Sequence, residues 1–156
     1  MKTILFAAAL LLAATAAQAC RTFTVGDISV EQAWSRASIG SDRPGILYLE
    51  ITNNGTADDA LVSITTPAAG MPMLHETIVT DGIASMPHAA SVPVPAGQTV
   101  ALSPGGFHGM LMGLTEKLTE GGTFPVTLTF ERAGSVDVTV DVLSMRAEGP
   151  TCDDAK

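Results

Sequence analysis

The sequence predicts an all-β domain, an antiparallel sandwich or small barrel, on three observations. Short runs rich in Val, Ile, Leu and Thr alternate apolar and polar positions; Gly, Pro, Asn and Asp punctuate them closely; and no 3.6-residue apolar period lasts long enough for a packed helix.

Taken in order, the run Gly45 to Gly55, "GILYLEITNNG", sets Ile46, Tyr48 and Glu50 against Leu47, Leu49 and Ile51 and stops at Asn-Gly. "ALVSITTPAAG" is a second strand, closed by Pro67 and Gly70. "PMLHETIV" and "GIASM" flank Asp81-Gly82, a strong hairpin signal. "SVPVPAGQTVALSPGG" holds a proline-marked edge segment, a turn at Ala96-Gly97 and a strand from Thr99 to Leu102. Two long strands, Phe124 to Glu131 and Ser135 to Leu143, surround Ala133-Gly134, and in the second Val136, Val138, Val140 and Val142 alternate with Asp137, Thr139 and Asp141. The only helix-like piece, "LTEKLTEGG", supports no more than a turn or one helical turn. Eight or nine strands are expected in all.

The N-terminal stretch "MKTILFAAALLLAATAAQAC" has a Lys, an apolar run and a small-x-small site at Ala17-Gln18-Ala19. These are the parts of a secretory signal peptide over residues 1–19, so an exported, periplasmic chain is expected, with no transmembrane segment in its mature part. One domain over 20–145 and a short C-terminal tail over 146–156 follow. The tail "AEGPTCDDAK" has little to bury and is expected to be held only if Cys152 is bonded. The two cysteines, Cys20 and Cys152, leave two readings: a disulfide joining the chain ends, or a lipid on Cys20, for which Ala17 stands where a lipobox usually has Leu.

Without Lys2 the chain carries 7 basic and 16 acidic side chains, a charge near −9. Such a surface repels phosphate backbones, so nucleic acid is a poor partner. No Ser-His-Asp grouping, paired glycosidase-like carboxylates or phosphate-binding loop can be assembled, and no enzyme is expected.

The informative pattern is in the three histidines. Met71, Met73 and His75 form one cluster, Met86 and His88 a second, and His108, Met110 and Met112 a third. Beyond Met1, only Met145 lies outside them. Every spacing within a cluster is two or four, which on an extended backbone places the residues on one side. Imidazole nitrogen and thioether sulfur are neutral donors, and soft sulfur favours Cu(I) over Zn, Ca or Mg. The central region has no Cys, so a blue-copper His₂Cys centre is excluded, and copper would be carried rather than used for electron transfer. Packing is the plainer use for Met71, Met73 and Met112, and His75 could simply bond Glu76 or a carbonyl. Trp34 reads as core, and Phe107 and Leu111 as the apolar side of the strand that holds His108.

At these residues the chain resembles the periplasmic copper(I) chaperones called PCuAC. That family's pattern is His, ten residues, Met, twenty-one residues, then His-x-Met, and His75, Met86, His108 and Met110 reproduce it. The surroundings match as well: "AWSRAS" at 33–38, "YLEITNNG" at 48–55, "PAAG" at 67–70, "LHE" at 74–76, "SPGGFHGMLMGL" at 103–114 and "FPVTLTFERAG" at 124–134. The resemblance implies a cupredoxin-like or immunoglobulin-like Greek-key sandwich. It further implies a monomer that binds one Cu(I) through His75, His108, Met86 and Met110. The implied acceptor is the copper-bearing subunit of cytochrome c oxidase, alongside a thiol-bearing assembly protein. Two departures stand out: Thr77 occupies a place where many members have Met, and His88 stands two residues after Met86. His88 is open to three readings: a further nitrogen donor, one favouring Cu(II), or no role. Periplasmic copper storage or resistance is the main rival function, and a metal-free structural sandwich is the other.

Overall fold

The computed structural model describes residues 20–152; the expected signal peptide and residues 153–156 of the tail lie outside them. Twelve strands run in chain order: β1 (Phe23–Val25), β2 (Ile28–Arg36), β3 (Gly45–Asn53), β4 (Asp59–Thr65), β5 (Ala69–Glu76), β6 (Ile78–Thr80), β7 (Ile83–Ser85), β8 (Val92–Val94), β9 (Thr99–Leu102), β10 (Phe107–Leu114), β11 (Thr123–Phe130) and β12 (Gly134–Leu143). Ten of them form one sheet with the path β5-β10-β3-β2-β12-β11-β4-β8; β1 adds to β2 and β9 to β3. The sheet folds over so that β4 and β5, far apart on that path, come into contact. This is the expected sandwich, with one change. All named pairs are antiparallel except β12 with β2, which run parallel through Asp141–Trp34 and Leu143–Arg36. Among the described residues no helix is long and apolar enough to cross a membrane, and in "LTEKLTEGG" Leu114 ends β10 while the rest holds only bends and a turn before β11.

The alternating strands bury one face each. Leu47, Leu49 and Ile51 of β3, Val126 and Leu128 of β11, and Val138 and Val140 of β12 are nearly inaccessible and meet in one core. Each such side chain contributes about 1.5–3 kcal/mol on burial. The outer face of the β11–β12 pair is polar: Thr127 donates to Asp137, and Thr129 and Ser135 share a hydrogen bond.

Two strand assignments differ from the sequence reading. β2 was not legible as a strand because it contains a bulge. Its register with β3 shifts between Glu31 and Trp34, and Gln32 takes a positive φ of 52°. The extra residue reverses the alternation, so Val30 and then Ala33 and Ser35 are buried. The stretch "PMLHETIV" is divided at Thr77, whose amide makes a last hydrogen bond to the Gly106 carbonyl in the β5–β10 register before β6 begins. The Asp81-Gly82 hairpin forms as expected between β6 and β7, with both central residues at positive φ.

Trp34 is buried but stands outside the main core. It packs on Tyr48 with ring centroids 4.7 Å apart, under the Arg36 guanidinium. Desolvation raises the Tyr48 pKa, partly offset by Arg36. The two ends of the described segment meet: Cys20 and Cys152 form a disulfide, and Arg21 pairs with both carboxylate oxygens of Asp141. The tail is held further by Arg36 Nε donating to the Ala147 carbonyl.

Candidate metal centre

β5 and β10 pair antiparallel, and their register decides what the histidine–methionine clusters become. His75 stands opposite His108, Met73 opposite Met110, and Met71 opposite Met112. Cross-strand partners share a face, so six side chains spaced by two in the sequence form three rungs on one surface. The intervening residues turn inward: Leu74 and Leu111 are core, as expected of Leu111, and Phe107 packs against the core from the end of β10.

Gly109 lies between His108 and Met110 on the inward side. A Cβ there would stand 2.9 Å from Leu47 Cβ and 3.0 Å from Ile64 Cδ1. The middle residue of His-x-Met is therefore a glycine because β10 lies too close to β3 and β4 for any side chain. Its part in placing His108 was missed from sequence, where a strand glycine hints at close approach and nothing more.

The expected set comes from three places. His75 lies on β5, His108 and Met110 on β10, and Met86 just beyond β7 where the hairpin returns. The ten residues between His75 and Met86 are the end of β5, the hairpin and its return. They bring the Met86 carbonyl to within 2.9 Å of His75 Nδ1. Glu76 N–H donates to the Pro87 carbonyl and Ala89 N–H to the Leu74 carbonyl, fixing this segment against β5. His88 thereby bridges to His75 on the strand side away from His108. Thr77 makes the turn from β5 into the hairpin.

The imidazoles of His75 and His108 have centroids 6.0 Å apart, tilted by 44°. Two rings sharing one ion through bonds of about 2 Å have centroids about 5–6.5 Å apart, so this pair fits a common metal. His108 Nδ1 lies 3.1 Å from the Gly106 carbonyl, as His75 Nδ1 lies beside that of Met86. A carbonyl only accepts, so in both rings Nδ1 carries the proton and Nε2 keeps its lone pair. Both Nε2 atoms are buried and have no hydrogen-bond partner. A buried, unpartnered nitrogen costs about 1–3 kcal/mol. A metal would use both lone pairs, and the carbonyls behind Nδ1 would orient the rings toward it.

Among the described residues no three His, Cys, Asp or Glu side chains are gathered to hold a metal ion. Beside the two imidazoles the neighbouring rung carries thioethers, Met73 and Met110. Met86 is half exposed and Met110 half buried beside the His pair's rung. His88 is exposed, its ring edge-on to His75 at 6.1 Å, and no protein hydrogen bond engages it. Among the described residues no methionine belongs to the buried core cluster; Met73 and Met112 are half buried and Met71 is exposed.

The sandwich has the PCuAC-type fold of several solved structures. The chain belongs to the LpqE-like family, whose model, described as putative lipoprotein LpqE-like, matches residues 28–142. A putative lipoprotein of Leifsonia xyli subsp. xyli is 37% identical over 116 residues, spanning 74% of this chain and 69% of the relative. The apo PCuAC domain from PmoF1 superposes with a TM-score of 0.69 at 27% identity, over 80% of this chain and 99% of that one. The Cu(I)-bound solution structure of DR1885 from Deinococcus radiodurans gives a TM-score of 0.62 at 30% identity, over 82% and 83% of the two chains.

Proposed function

We propose that this protein is a periplasmic copper(I) chaperone that binds one Cu(I) through His75, Met86, His108 and Met110. The observation that carries this reading is the pair of buried Nε2 atoms without partners on directly opposed residues, each ring held by its Nδ1–H. Two imidazoles and two thioethers are neutral, and sulfur selects the soft monovalent ion. The Cu(I)-bound state of DR1885, similar in sequence and fold, supports the same cargo here. Copper is what the protein carries, and no substrate bond is broken. Transfer proceeds by ligand exchange, with the acceptor's donors approaching from the side of half-exposed Met86. The acceptor is the copper centre of cytochrome c oxidase.

The Cys20–Cys152 disulfide suits an exported chain in an oxidising compartment. A thiol in a disulfide cannot also carry a lipid thioether. The form that bears this bond is thus free of an anchor at Cys20, unlike what the names of its relatives imply for them.

Anaerobic Cu(I) titration against a chromogenic chelator tests the site. Wild type should take up copper tightly, and His75→Ala, Met86→Ala, His108→Ala and Met110→Ala should each weaken it. A double variant Met86→Ala/His108→Ala that binds as many equivalents as wild type, as tightly, overturns the assignment. Transfer to the soluble copper domain of the oxidase separates delivery from storage, which predicts retention.

A further inference from the structure

We infer that the two rungs below the histidine pair form a second soft-metal site, made by Met71, Met73 and Met112 with Met110 shared, which passes Cu(I) toward His75 and His108. The inference rests on the proposed copper role and extends it to residues outside the His-x-Met pattern.

Register and surroundings carry the argument. Met73 stands opposite Met110 and Met71 opposite Met112. Two residues along a strand span about 6.8 Å, and facing Cα atoms lie about 5 Å apart, so the four backbones mark a small rectangle. Thioethers on flexible, unbranched side chains can converge on one ion above such a rectangle. Packing does not account for the four: they face away from the core, and none contributes to it. The outward face of β11 and β12, by contrast, carries hydrogen-bonded Thr, Ser and Asp. On β5 and β10 the outward positions from Met71 to His75 and from His108 to Met112 hold only Met and His.

Exposure is graded along the rungs. Met71 is 58% exposed, Met73, Met110 and Met112 are half buried, and His108 at the far end is 3% exposed. An ion captured at Met71 would move inward through donors of one chemical kind and end where imidazole nitrogens add to them. Thioethers alone hold Cu(I) or Ag(I) and discriminate against Zn, Ca and Mg.

The test is the stoichiometry of the mature, disulfide-intact protein titrated anaerobically with Cu(I), and separately with Ag(I). Wild type should bind two equivalents, Met71→Leu/Met73→Leu/Met112→Leu one, and His75→Ala/His108→Ala one. Saturation of wild type at one equivalent overturns the second site, as does a triple variant that still binds two. If His75→Ala/His108→Ala retains both equivalents, the histidine site fails while the methionine site stands. Because the triple variant could misfold, the wild-type protein labelled at its methionine methyl groups supplies an independent reading. The methyl signals of Met71, Met73 and Met112 should shift with one of the two equivalents, and signals unmoved through both overturn the proposal.

Discussion

His75 and His108 face each other across β5 and β10 with their ring centroids 6.0 Å apart, each held from behind by a backbone carbonyl. On the proposed reading the two rings are held in place before metal arrives, so part of the ordering cost that would weaken binding is met in folding, and half-exposed Met86 leaves the ion reachable by an acceptor.

Cu(I) should stabilise the fold. With free Cu(I) at 100 times its dissociation constant, the native state gains about 2.7 kcal/mol. For a domain of this size that raises Tm by about 5–10 °C. Anaerobic thermal unfolding with and without Cu(I) measures this, and addition of a Cu(I) chelator should reverse it. A metal-free structural module would show no change.

Gly109→Ala should destabilise the protein by about 1–3 kcal/mol, because the new methyl meets Leu47 and Ile64 at distances that force β10 outward. Urea denaturation reads the loss as a lowered midpoint. The same displacement moves His108 relative to His75, so Cu(I) affinity should fall as well, although no ligand has been changed.

His88→Ala should leave the tight Cu(I) equivalent in place. The ring is exposed, and on the proposed reading two imidazoles and two thioethers hold Cu(I) without it. Competition titration should give an affinity within about threefold of wild type, set against the tenfold per 1.4 kcal/mol expected for loss of a true ligand.

The disulfide makes two measurable claims. The intact mass of the purified mature protein should match an unlipidated chain lacking two hydrogen atoms, and a thiol reductant should add them back. Cys20→Ser/Cys152→Ser should cost about 2–4 kcal/mol, since the bond joins residues 132 apart and restricts the unfolded chain. Thermal unfolding of the variant should show Tm lower by about 10 °C.

Much of this structure is legible in the sequence where a single rule governs. "GILYLEITNNG" becomes β3, and it ends where Asn53 turns inward and donates to the Ala57 and Val94 carbonyls. Asp81-Gly82 gives a two-residue hairpin, and the alternating valines give β12. Legibility fails where two rules compete. In β2 the bulge at Gln32 reverses the face, so no single alternation fits Ile28–Arg36. In β10 the spacing of two and the inward side of Phe107 and Leu111 are legible, but Met71, Met73 and Met112 are as apolar as core residues, and hydrophobicity alone cannot say that they face outward. The register with β3 and the space left at Gly109 settle it, and both depend on distant residues. The buried, partnerless nitrogens were likewise beyond sequence, since they depend on carbonyls at Met86 and Gly106 arriving behind each ring.

X-ray absorption at the copper edge of the protein loaded with one equivalent of Cu(I) addresses the central claim most directly. The account predicts a shell of two nitrogens at about 2.0 Å and two sulfurs at about 2.3 Å, with the sulfur contribution halved in Met86→Leu or Met110→Leu. A shell without sulfur, or one unchanged in His75→Ala/His108→Ala, would contradict it.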